Sequence, residues 1–243
     1  MQIQALDYFD GTQKFKGTLF YDEHQTLPQP AIILYHAFEG ASQFTLDYGK
    51  RLALQGYVVF VADMYGDGQT ADTIDGCFAL VMPLLQDRKV VRHRAVLAFE
   101  TLLKQKQVDS KRVGAAGFCL GGMCMLELAR SGAALHSGVT LHGILAKSDL
   151  ATYPIKANLL LLQGYADPQV PCDALPLFAE EMNTAGASDW TFIYFGHAKH
   201  SFTDPKTGTF HAEKEMEMGR EYNETIANRA FVYLSEFFKE QLK

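Results

Sequence analysis

Arg112 to Ala116 runs into Gly117-Phe118-Cys119-Leu120-Gly121-Gly122, which runs into Met123 to Arg130. The first segment reads as a short buried strand and the last as a helix, with a G-x-C-x-G turn between them. A turn that sharp puts its central residue in strained backbone angles. Side chains at Gly117 and Gly121 would meet neighbouring backbone, so glycine is required there. The pattern is that of a nucleophile elbow with cysteine where serine is usual. A helix beginning just after Cys119 points free N–H groups at the thiol and at any oxyanion formed beside it. Free cysteine is ordinarily a small apolar filler. The flanking strand and helix make this one a candidate nucleophile.

Outward from that turn, strands and helices alternate. Ile3 to Phe9 and Phe15 to Tyr21 read as paired strands around Asp10-Gly11. Ala31 to Tyr35, Tyr57 to Ala62, Ser137 to Leu141, Asn158 to Gln163 and Trp190 to Phe195 read as further strands. Helices are expected over Phe44 to Gln55, Asp72 to Leu85, Arg88 to Lys106, Pro171 to Ala185 and Arg220 to Leu242, with a break or kink at Pro83. The polar stretch Phe202 to Met218 is a surface excursion or a short extra helix. Such alternation predicts an α/β fold, a mostly parallel central sheet with helices on both faces. Ligands then bind beyond the carboxyl ends of the strands. That singles out His36 to Gly40, Asp63, Cys119, His142, Asp167 and His197 to His200.

Composition narrows the class. The chain has 243 residues, 48% hydrophobic, a size that suits one domain over 1–243. The net charge is −6 and the basic residues are scattered, which argues against nucleic acid and anionic membranes as partners. Met1 to Asp10 lacks the basic-then-apolar layout of a signal peptide. No apolar run approaches the roughly 18 residues of a membrane span. Cys77, Cys119, Cys124 and Cys172 form no C-x-x-C pair, so a reduced, cytoplasmic protein is expected.

A cysteine nucleophile needs a base, and the base needs an orienting group. Asp167 follows a strand in Gly164-Tyr165-Ala166-Asp167-Pro168-Gln169-Val170-Pro171, and His200 follows the next in Gly196-His197-Ala198-Lys199-His200-Ser201-Phe202. Nucleophile, acid, histidine is the chain order of the α/β-hydrolase triad. Alone, Asp167 before proline could merely start a turn. His197 and His200 have a spacing that could suit a metal, but nothing completes a ligand set. No metal and no cofactor is expected. The oxyanion hole would be the N–H groups of Leu120 and Phe38. His36, Glu39, Tyr65, Phe118, Tyr165 and Phe202 are candidate pocket residues.

With GFCLGG at 117–122, GYADPQVP at 164–171, GHAKHSF at 196–202, YHAFEG at 35–40 and VADMYG at 61–66, the chain resembles the dienelactone hydrolase family. The likeness runs from residue 30 to the closing helix. It implies a Cys119, His200, Asp167 triad that hydrolyses a small ester or lactone through a thioester on Cys119. Two positions depart from the family. Ala37 stands where the family has a glutamate that contacts the cysteine, with Glu39 nearby. Asp204 stands where an arginine holds the substrate carboxylate. A neutral ester, a thioester or a lactone without a carboxylate is the substrate this implies. Arg88, Arg92 and Arg94 are expected on a solvated helix face. A non-catalytic ligand-binding protein on the same fold is the alternative, and a Cys119–Cys124 redox pair a weaker one.

Overall fold

The computed structural model describes residues 1–26 and 28–243. β1 (Gln2–Asp10) and β2 (Gln13–Tyr21) form an antiparallel hairpin in which Asp10 pairs with Gln13. Gly11 takes φ +56° at the turn, a conformation glycine adopts freely. The remaining strands are β3 (Gln29–Tyr35), β4 (Val58–Ala62), β5 (Val108–Phe118), β6 (Ser137–Leu141), β7 (Asn158–Gly164) and β8 (Trp190–Phe195). They join one eight-stranded sheet in the order β1-β2-β4-β3-β5-β6-β7-β8. β2 meets β4 antiparallel, and every pair from β4 to β8 is parallel.

Successive residues of a strand face opposite sides of the sheet, and β3 shows what each side meets. Ala31, Ile33 and Tyr35 pack into one core with α2 (Ile74–Gln86), α3 (Arg88–Leu103), α4 (Leu120–Arg130) and α5 (Ala174–Thr184). Ile32 and Leu34 pack into the other with α1 (Gln43–Ala53) and α7 (Glu224–Gln241). A strand between two such layers has no solvated face, which is why β3 and β4 read as continuous apolar runs. Each fully buried Ile, Leu or Phe contributes roughly 1.5–3 kcal/mol.

Most expected elements lie within a few residues of their sequence positions. Two differences have local causes. Pro83 sits inside α2, and the chain breaks instead at Asp87, whose carboxylate caps α3 by accepting the Lys89 and Val90 amides. β5 starts at Val108 rather than Arg112, with a register shift against β3 between Gln29 and Ala31. The stretch from Phe202 contains α6 (Ala212–Glu217), held by Glu215, which is 1% exposed and accepts the Gly208 amide at 2.8 Å.

The arginines of α3 are not on a solvated face. Arg92 donates to Glu127 at 2.9 Å, and Arg88 lies 3.6 Å from the same carboxylate. Arg94 donates to the Met64 carbonyl at 2.7 Å. Glu127 belongs to α4, all of which is buried. Arg130, the last residue of α4, is itself wholly buried and holds Glu181 of α5 with two bonds of 2.8 and 2.7 Å. These charges tie α4 to both neighbouring helices.

Candidate active site

Cys119 stands between β5 and α4 with φ 52° and ψ −112°, a strained pair for an L-residue. Its peptide is gripped from both sides. Its N–H donates to the Leu141 carbonyl at 3.2 Å, and its carbonyl accepts the Gly122 and Ile144 amides at 3.1 Å. A Cβ on Gly117 would stand 1.9 Å from the Gly121 carbonyl oxygen, and one on Gly121 2.1 Å from that of Tyr35. These approaches seat the elbow against the end of β3, with the Tyr35 and His36 carbonyls pressed on Gly121. His142 and Ser201, at φ 41° and 58°, share the strained left-handed region with Cys119. Strain of this kind persists where the surroundings over-determine it, commonly at functional sites.

His200, wholly buried, donates from Nδ1 to Asp167 Oδ2 at 2.8 Å. Asp167 also accepts the Gln169 amide through Oδ1 at 2.8 Å, which orients the carboxylate. The backbone of His200 pairs with the chain around Arg220. Its N–H donates to Gly219 at 2.9 Å, and its carbonyl accepts the Glu221 amide at 3.0 Å. His200 Nε2 is buried with no hydrogen-bond partner. Burial alone would depress this imidazole. The charge of the Cys119 sulfur and the bond to Asp167 outweigh it and raise the group to about 9.

His142 follows β6 and packs edge-to-face on His200, its Nε2 2.7 Å from Thr203 Oγ1. Burial, then the charges of His200 and Arg220, hold it well below the ordinary histidine range.

The segment carrying Phe38 is braced by β4. Tyr65 Oη donates to the Phe38 carbonyl at 2.7 Å. Asp63 fixes the Tyr65 and Gly66 amides at 2.9 Å. His36 accepts the Met64 amide at Nε2 and donates from Nδ1 to Ala37, which makes it a neutral brace. The Phe38 N–H donates to no acceptor among the described residues. Leu120 is the first residue of α4, so its N–H has no acceptor within the helix. Neither amide is committed to a backbone acceptor among the described residues.

A dienelactone hydrolase family model matches residues 15–242. The chain belongs to the dienelactone hydrolase family. It is a carboxylic ester hydrolase of the α/β-hydrolase superfamily, acting on small esters or lactones. A structure described as a dienelactone hydrolase-like promiscuous phosphotriesterase from metagenomic libraries is 30% identical with TM-score 0.89, covering 100% of this chain and 99% of its own. A structure described as m3DLH is 32% identical, with the same TM-score and coverage. An uncharacterised Caenorhabditis elegans protein is 31% identical over 62% of this chain and 93% of its own length.

Within this family frame, the expected pocket residues divide. Phe118 lies in the core against Phe44 and Tyr48, with ring centroids 4.9 and 4.7 Å away, and Phe202 packs on Phe195 and His142. Both are fully buried, because they end strands or turns that face the α1–α7 layer. His36 is fully buried as well. Tyr165 is 61% exposed and meets Tyr194 edge to face. Glu39 does line a cavity, one of about 370 Å³ that it shares with Asp204 and Phe210. Burial, then the charge of Asp204, push its carboxyl up to about 7. Its hydrogen-bonding side chain partner is Ser42, at 3.3 Å, not Cys119.

Arg220 has no sequence signal. It reads as the first residue of the closing helix, yet lies ahead of α7, 5% exposed, with its guanidinium 4.2 Å from the Phe38 ring centroid and 3.3 Å from Glu215. Among the described residues no group of three or more His, Cys, Asp or Glu is placed to hold a metal ion, and no helix is long and apolar enough to cross a membrane.

Proposed function

We propose that the chain hydrolyses a small ester, thioester or lactone lacking a carboxylate, through a thioester on Cys119. The observation that carries this is the wholly buried His200, bonded to Asp167 on one nitrogen and unpartnered on the other, beside a strained cysteine. His200 Nε2 takes the thiol proton as the thiolate–imidazolium pair forms, and that pair is the reactive form. The thiolate adds to the substrate carbonyl, and the Phe38 and Leu120 amides receive the oxyanion. Collapse expels the alkoxide or thiolate, which takes the His200 proton. Neutral His200 then draws a proton from water, the hydroxide adds to the thioester, and the thiolate leaves with the acid. Asp167 keeps the imidazole in the tautomer with Nδ1 protonated throughout. Asp204, at the position of a carboxylate-binding arginine, supports a substrate without a carboxylate.

The test is intact-mass measurement with a panel of short esters, thioesters and lactones. The native chain is expected to gain one acyl group at Cys119 and to turn over the substrate, and Cys119→Ala to do neither. Equal turnover by Cys119→Ala overturns the mechanism. A phosphotriester belongs in the panel because a relative along the whole chain is described as a phosphotriesterase. Attack at phosphorus would leave a phosphoryl-cysteine of distinct mass. Ligand binding without turnover or adduct in either protein would favour a binding module.

A further inference from the structure

The cavity lined by Glu39 has acidic walls, and one carboxylate oxygen in them has no hydrogen-bond partner. Glu39, Asp72 and Asp204 line it together with Ser42, Lys206 and Phe210. Asp72 and Lys206 are exposed at its mouth, while Glu39 and Asp204 are 3% and 5% exposed. Glu39 Oε1 accepts from Ser42 on the same wall, and Oε2 has no partner. Asp204 Oδ1 accepts the Lys206 amide, and its charge bears directly on Glu39.

A desolvated carboxylate oxygen without a donor is a substantial cost to the folded state. Arg220 eases the charge of Glu39, but no cation of the described residues makes a hydrogen bond or ion pair with it. Arg220 is held by Glu215 and the Phe38 ring, and Lys206 makes no ion pair among the described residues. A metal ion lacks a ligand set here. What the walls offer is a hydrogen-bond acceptor, two buried acids and the aromatic ring of Phe210, which together suit an N–H-bearing cation.

The cavity is tied through the chain to both sides of the candidate site. Glu39 directly follows Phe38, the expected second oxyanion donor. Asp204 is in the turn after His200, with its N–H bonded to the Ser201 carbonyl at 3.1 Å. We infer that this cavity is a substrate subsite for a protonated amine, so that the favoured esters carry an ammonium group on one arm. The inference rests on the reading of Cys119 as the acylated residue.

The experiment compares isosteres. 2-(Dimethylamino)ethyl acetate, protonated at neutral pH, and 3-methylbutyl acetate differ by N–H⁺ for C–H. Binding of each to the Cys119→Ala protein is measured by calorimetry, where neither ester can be consumed. The ammonium ester is expected to bind about tenfold or more tightly. In the Cys119→Ala/Glu39→Gln protein the preference is expected to fall to about twofold, and Asp204→Asn should narrow it independently. Equal affinity for the two isosteres overturns the subsite. So does a preference that survives both substitutions, or tighter binding of the anionic 3-acetoxypropanoate. Hydrolysis by the native chain is read separately. A binding preference without hydrolysis would sink the catalytic reading alone, and hydrolysis without preference the subsite alone.

Discussion

The imidazoles of His142 and His200 meet edge to face, their ring centroids 5.2 Å apart and both rings out of solvent. Two charged histidines could not share that space. His142 is held neutral partly by the charge of His200, while His200 is raised by the Cys119 sulfur despite its own burial. Cys119→Ala removes the leading influence that lifts His200. Its ring is therefore expected to titrate clearly below the native value of about 9, followed by imidazole NMR. A native-like titration in the variant would assign the shift to Asp167. The linkage has a definite sign. A folded-state value above the unfolded one stabilises fully below the unfolded value of about 6.5, and that stability is lost as pH rises through about 9. Turnover that needs the imidazolium is expected to decline over the same alkaline limb.

Asp167→Asn keeps the shape of the side chain and removes its charge. The amide can present N–H to His200 Nδ1, which disfavours the tautomer that leaves Nε2 free to accept a proton. Turnover of a short ester is expected to fall by about 10²–10⁴, with the melting temperature little changed. A loss under tenfold would show that Asp167 only shapes its turn.

Tyr65→Phe deletes the donor to the Phe38 carbonyl and leaves the ring's packing on His36 in place. One such bond contributes roughly 0.5–1.5 kcal/mol. With the Phe38 amide less firmly placed, kcat is expected to drop about 3- to 10-fold while KM stays within about twofold. Steady-state kinetics separate the two. A change confined to KM would put Tyr65 in substrate contact instead.

Arg130→Met leaves Glu127 and Glu181 buried without their shared partner. Breaking one side of a buried charge cluster costs about 3–5 kcal/mol, which for a chain of this size lowers the melting temperature by roughly 10 °C. Calorimetry at neutral pH is the check. Removing Glu181 as well, by Glu181→Leu, should recover stability.

The layers were legible because local patterns carry them. β3 reads as a strand because it is apolar throughout, and α1 ends before Gly56, which takes φ +98°. Asp87 shows the limit. Pro83 is the louder sequence signal, but a proline in an already packed helix can be tolerated, whereas a carboxylate at the right distance from two amides ends one helix and starts the next. The arginines of α3 misled for a related reason. Charge in a sequence indicates solvent only when no buried counter-charge waits across the interface, and Glu127 belongs to another helix.

The sequence by itself determined the elbow, the order of Cys119, Asp167 and His200, and the family. Each follows from residue type at a fixed offset from a strand or turn, which is local information. Tertiary structure alone decided that Arg220 lies over Phe38, that His142 adjoins His200, and that Glu39 keeps an unpaired oxygen in an acidic cavity. Those relationships join segments distant in the chain. Their energies depend on burial and on the field of neighbouring charges, and neither quantity exists until the chain has packed.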